Sequence, residues 1–280
     1  MRKIPLALAV LCSITLSAQN DIRLLIRADD IGSFRSANLA CVDSYTKGIV
    51  RSTEVMVCCP WFPEAARMLN ENPGLDAGVH LMITSEWVGC KWAPLTKAPS
   101  IADENGYFYP FIWPVQGKPG IAIREHDWKL EEIEAEFRAQ IELAKKHIPH
   151  VSHLSAHMGC TNWDPKVKAM AKRLAKEYGL PLEVPEYVKP FPKFGEKGMS
   201  NEQLIDAFAK TIETLEPGTY RYVEHPSYNT PEMKGVSLNY PENGKVAGER
   251  QLVTDMLTSG KVKKAVEKNK VKLIDHKDLQ

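Results

Sequence analysis

Runs of apolar, often β-branched residues alternate with amphipathic stretches along nearly the whole chain. Residues 22–28 (IRLLIRA) are almost continuously apolar, which is how a strand buried on both faces reads. Residues 34–46 have helical spacing, and Gly48 follows as a stop signal. Further strands are predicted at 53–59, 75–81, 151–156, 182–184, 218–224 and 271–274. Helices are predicted at 63–69, 128–147, 165–178, 201–215 and 246–257. In the most regular of these, Leu130, Ile133, Phe137, Ile141 and Leu143 share one apolar face. Strand–helix repetition calls for parallel strands. About seven such strands make one α/β domain, either a closed or nearly closed β/α barrel or a doubly wound open sheet. The periodicity is the same for both. With 44% hydrophobic and 25% charged residues, wholesale disorder is excluded. The formal charge of +1 provides nothing to draw the chain to nucleic acid or an anionic membrane.

The first nineteen residues read as a targeting segment and not as fold. Met1-Arg2-Lys3 is a short basic start, Ile4 to Leu16 is nearly unbroken apolar sequence, and Ser17-Ala18-Gln19 supplies small residues for cleavage. The run is shorter than the roughly 20 residues of a membrane span. The expectation is a signal peptide at 1–19, a single folded domain at 20–280, and export to the periplasm or medium, with no integral membrane segment after cleavage. A buried N-terminal strand or helix is the alternative. Removing 1–19 takes away two basic residues and no acidic one, leaving a formal charge of −1. The remaining cysteines, Cys41, Cys58, Cys59, Cys90 and Cys160, show no metal-binding spacing, and no disulfide is assigned. Cys58 and Cys59 are expected in the core.

One segment breaks the rhythm. Residues 84–127 are too long for an ordinary connection and hold Trp87, Trp92 and Trp113 together with Tyr107, Phe108, Tyr109 and Phe111. Long loops often carry function, and flat aromatic faces can stack on sugar rings. The three tryptophans are therefore either a substrate platform or a satellite core beneath the loop.

Ionisable residues recur where the predicted strands end. Asp29-Asp30 close the first strand, and Gly78-Val79-His80-Leu81 the third. His153-Leu154-Ser155-Ala156-His157 and Glu224-His225-Pro226 close two later ones. Each alone has a bland reading, a helix cap for the Asp pair and a satisfied core histidine for each His. Together they sit at the C-terminal ends of parallel strands, where α/β folds build their sites. Two histidines and a carboxylate with open positions make a catalytic divalent-metal site.

These pieces, with Asn38 and Gly48-Ile49-Val50-Arg51-Ser52-Thr53, resemble the YdjC-like carbohydrate deacetylases, relatives of the polysaccharide deacetylases. The resemblance runs from about Ile22 to the C-terminus. It implies a distorted or incomplete β/α barrel and removal of N-acetyl groups from an amino sugar or oligosaccharide. It implies one divalent metal ion, Zn or Mg, held by Asp30, His80 and His157. Asp29 would be the general base and His225 the general acid. The chain departs from the family pattern at Ser155, where many relatives have Asp, and at Gly159, where they have a further His. Those changes bear on the groups behind the ligands, where His153 and Ser155 would stand. Three other readings use the same residues. A non-haem iron oxygenase also uses two His and a carboxylate. A metal-independent glycosidase would pair Asp29 or Asp30 with Glu224. A non-catalytic sugar-binding protein would use the aromatic loop.

Overall fold

The computed structural model describes residues 21–182, 184–239 and 244–279. The targeting segment expected at 1–19 lies outside them. In chain order the elements are β1 (Ile22–Ile31), α1 (Arg35–Thr46), β2 (Ser52–Val55), α2 (Phe62–Glu71), β3 (Asp76–Leu81), α3 (Leu130–His147), β4 (Val151–Ala156) and α4 (Pro165–Tyr178). Then follow β5 (Val188–Pro190), α5 (Asn201–Glu213), β6 (Gly218–Glu224), α6 (Pro231–Lys234), α7 (Lys245–Thr258), α8 (Gly260–Lys268) and β7 (Lys272–Ile274).

The strands form one sheet in the order β4-β3-β2-β1-β6-β5, all pairs parallel. It curls into a half-barrel in which β4 and β5 are the margins and do not pair, so the incomplete barrel is the form adopted. Opposite β6, one edge of β1 is shared. β7 pairs with Arg23–Leu25, and β2 pairs further along from Arg27 to Ile31. β1 is therefore the central strand, and Leu24, Leu25, Ile26 and Ala28 have no exposed surface.

Local chemistry sets the helix ends. Asp164 caps α4 by accepting from the Lys166 amide at 2.8 Å, Pro165 opens the helix, and Gly179 closes it at φ +67°. Ser200 and Gln203 form a capping box on α5.

Three expectations are corrected. The second strand, read as 53–59, ends at Val55. The Met56 amide still bonds to the Ile31 carbonyl, and the chain then turns through Cys59 into α2. Leu182 and Val184 are not strand; the fifth strand is β5, further on. Pro181 and Pro185 flank the 182–184 segment and remove ladder donors there. The short helices α6 and α8 were not foreseen; Thr230 and Ser259 cap them.

The 84–127 segment is packed. Trp92, Ile101, Phe108, Ile112 and Ile123 join the main core and not a separate satellite beneath the loop, so Trp92 is a core residue. Trp92 lies between Phe34 and His157, each 6.2 Å away, and is too buried to meet a sugar. Trp113 is exposed, but the Arg124 guanidinium covers its ring at 4.1 Å. The five described cysteines are free thiols; Cys59 is buried and Cys58 only partly so.

Candidate metal centre

Neighbouring residues on a strand point to opposite faces, so Asp29 and Asp30 should not share a cleft. They do because β1 is irregular there. Its register with β2 shifts between Ala28 and Ile31, and Asp30 adopts a left-handed backbone at φ +73°. The turn that follows is tightly held. The Gly32 amide donates to Asn38 Oδ1 at 2.7 Å, and Ser33 Oγ donates to the Asp30 carbonyl at 2.6 Å. Gly32 sits at φ +101°, and a Cβ there would lie 2.7 Å from the Met56 carbonyl oxygen.

His80 leaves β3 and His157 follows β4, which brings both imidazoles to this turn. His80 Nε2 is 3.7 Å from Asp30 Oδ1 and 3.8 Å from Asp29 Oδ2. His157 Nδ1 is also 3.7 Å from Asp30 Oδ1. Those separations are too long for hydrogen bonds and suit ligands around a common ion. One ligand atom from each of Asp30, His80 and His157 lies within 4.8 Å of the others. Asp30 Oδ1 is buried and has no hydrogen-bond partner. A carboxylate oxygen desolvated without a partner is costly unless a cation meets it, so the donor set fits a divalent metal.

The other atoms of these side chains are tied down. Arg250 Nη2 donates to Asp30 Oδ2 at 2.8 Å, and Glu86 Oε2 lies 3.1 Å from His157 Nε2. Arg27 binds both oxygens of Asp29. Burial opposes ionisation of Asp30, but His225, Arg250, His157 and His80 hold its carboxyl well below the usual range. Burial pulls His80 down to about 4, against the attraction of Asp29. For His157 the desolvation cost is outweighed by Glu86, and its pKa is raised.

Asp29, Asp30, His80, His157 and His225 line one cleft of about 440 Å³, walled by Glu86, Trp87, Phe111, Met158 and Arg250. Of the three tryptophans proposed as a platform, Trp87 alone lines it. His225 is 40% exposed, 3.9 Å from Glu224 through Nδ1. Burial works against its charge, yet Asp30 and Glu224 raise its pKa.

His153 and Ser155 stand behind the candidate ligands. Ser155 Oγ is 2.7 Å from His80 Nδ1 and donates a very short bond to Glu54 Oε2. His153 Nε2 meets Glu54 Oε1 at 2.7 Å, and its ring stacks on His276 with centroids 3.5 Å apart. Glu54, His153 and His276 also bring three ligand atoms together. There, however, the carboxylate already has hydrogen-bond partners on both oxygens, and the Arg27 cation lies 3.6 Å away. This second group is a hydrogen-bonded support.

Sequence reasoning missed Arg27, Glu54, Glu86, Arg250 and His276. Arg27 and Glu54 carried a signal, since each is a charge inside an otherwise apolar strand and needs a buried partner. Glu86, Arg250 and His276 carried none.

Residues 23–268 match the model of the family described as YdjC-like protein. Carbohydrate deacetylase 2 of Listeria innocua serovar 6a is 30% identical over 276 residues, covering 92% of this chain and 99% of that one. A carbohydrate deacetylase of Halalkalibacterium halodurans is 29% identical over 215 residues, covering 74% and 86%. Among solved structures, a cellobiose-phosphate cleavage protein of Enterococcus faecalis V583 superposes with a TM-score of 0.72 at 24% identity, covering 92% of this chain and 99% of that one. The family match spans most of the sequence, including Asp29, Asp30, His80, His157 and His225, and the chain belongs to the YdjC-like family.

Proposed function

We propose that the chain is an exported, divalent-metal-dependent carbohydrate deacetylase that removes N-acetyl groups from amino sugars. The observation that carries this reading is the unpartnered, buried Asp30 Oδ1 facing one nitrogen each of His80 and His157. The names of the relatives support the substrate class. Two imidazoles with one carboxylate suit Zn better than Mg, which prefers an all-oxygen shell. When bound, such a cation supplies Lewis-acid polarisation of the acetyl carbonyl and acidifies water.

The protein's own groups divide the proton work. Asp29 takes the proton of the attacking water, and the Arg27 fork fixes the direction of its carboxylate. His225, on the open side of the cleft, is biased toward its protonated form and donates to the departing amine. Trp87 and Phe111 give the sugar an apolar wall. A second cavity of about 440 Å³, lined by Arg27, Ser155, Lys168 and Arg221, shares Ala156 with the cleft and gives room for a further sugar residue.

The test is acetate release from a panel of N-acetylated mono- and oligosaccharides, with chelator and with Zn, Mg, Mn or Co restored. Release that stops with chelator and returns with metal is expected. Release indifferent to chelator overturns the metal reading, and glycosidic cleavage without acetate would favour a glycosidase. Export is tested by the N-terminal sequence of the mature protein, expected to start near residue 20.

A further inference from the structure

We propose that Glu54 is a positioning residue that acts through Ser155 to fix the tautomer of His80, presenting its Nε2 as a bare lone pair to the metal centre. The geometry stands by itself; only the consequence for turnover rests on the deacetylase reading.

Glu54 is fully buried on β2, with Arg27 Nε at 3.6 Å and His153 Nε2 at 2.7 Å. Despite its burial, Glu54 is kept ionised by the Arg27 guanidinium and by the hydrogen bonds it accepts from His153 and Ser155. An ionised carboxylate only accepts. Ser155 has one hydroxyl hydrogen, and it goes to Glu54 Oε2. The oxygen of Ser155 must then accept from His80, so the hydrogen of that bond belongs to His80 Nδ1. A neutral imidazole has one N–H. His80 Nε2 is therefore unprotonated, and it faces Asp30 Oδ1 and Asp29 Oδ2. The same counting closes on the other side. His153 gives its hydrogen to Glu54 Oε1 and accepts at Nδ1 from Ser152 Oγ at 2.7 Å.

The backbone makes space for this chain of bonds. Gly78 pairs with Glu54 in the sheet. A Cβ on Gly78 would collide with Glu54 Oε2 and His153 Nε2. Ser155 thus does not leave His80 without a carboxylate behind it. The carboxylate comes from the second strand, one hydroxyl further away.

The test reads tautomers directly, by ¹⁵N-resolved NMR of the histidine rings in the metal-free protein. His80 is expected with its hydrogen on Nδ1; finding it on Nε2 in the unsubstituted protein overturns the proposal. In Glu54→Gln, with His153 still donating to the amide oxygen, the NH₂ faces Ser155. Ser155 then turns its hydroxyl toward His80, and the His80 hydrogen moves to Nε2. Zn affinity by calorimetry should fall about 10- to 100-fold, the usual cost of losing a hydrogen bond behind a ligand. Adding Ser155→Asp to Glu54→Gln supplies a carboxylate that accepts from Nδ1 directly. It should return the hydrogen to Nδ1 and recover most of the affinity. A double variant no better than Glu54→Gln would mean that Glu54 serves only as a structural anchor, and the proposal fails. If Glu54→Gln does not fold, Ser155→Ala, which leaves the Glu54–His153 pair intact, should give mixed His80 tautomers and weaker Zn binding; a pure Nδ1–H form with full affinity refutes the relay. Correct tautomers with no acetate release under any metal would sink the deacetylase reading and leave the relay standing.

Discussion

Arg27 grips Asp29 with a two-pronged contact, Nε to Oδ1 and Nη2 to Oδ2, each at 2.8 Å. Both residues are on β1, two positions apart, so the proposed base and its clamp come from one strand. A lysine keeps the charge but cannot hold both oxygens. Arg27→Lys should therefore lower kcat about 10- to 100-fold through misdirection of Asp29. Zn affinity should change little. Steady-state kinetics beside calorimetry checks the split.

The roles proposed for Asp29 and Asp30 can be separated. Asp29→Asn should keep the metal and lose about two to four orders of magnitude in kcat, the scale of a lost general base. Asp30→Asn should lose the metal itself. If the metal goes with Asp29 and stays without Asp30, the assignments are reversed.

The metal-free protein should be labile toward acid. His80 is pulled down to about 4 by burial, and His276 to about 3 by burial and its neighbour His153. Unfolded, both titrate near 6.5. As pH falls below 6.5 the unfolded chain takes up protons that the fold refuses, so stability is lost between pH 6.5 and about 4. By pH 5 the loss is on the order of 2 kcal/mol for each histidine. Asp30 and Glu54, both depressed, add to it at lower pH still. His157 and His225 are raised, and their contribution is lost instead as pH climbs above 6.5. Urea unfolding in the presence of chelator at pH 7 and pH 5 measures the acid side; equal midpoints would contradict it.

Gly32→Ala should damage the site through the backbone. The added methyl meets the Met56 carbonyl at 2.7 Å, at a φ of +101° that alanine resists. A loss of about 2 kcal/mol or more is expected, with weakened Zn binding because Asp30 is two residues away. Thermal unfolding with and without Zn reads both.

Much of the frame was legible in the sequence. An apolar run that ends in an ionisable residue marks a strand that stops at the cleft, which is why Asp29, His80, His157 and His225 could be named from the chain alone. What crosses the sheet was not legible. Glu54 meets Ser155 over 101 residues and Arg250 meets Asp30 over 220, and no local pattern records such pairings. Nor did periodicity reveal that two consecutive aspartates would face one way, because that depends on the irregularity in β1. Nor could the chain decide between platform and core for Trp92, because aromatic content does not distinguish a wall from a core.

The backward twist of the chain at Asp30 narrows what that position can hold. Glycine, asparagine and aspartate are the residues that settle there at little cost. Of the three, only aspartate carries a charge. The shape of the first strand's end thus preselects its own chemistry, leaving aspartate as the anionic oxygen donor it admits most cheaply.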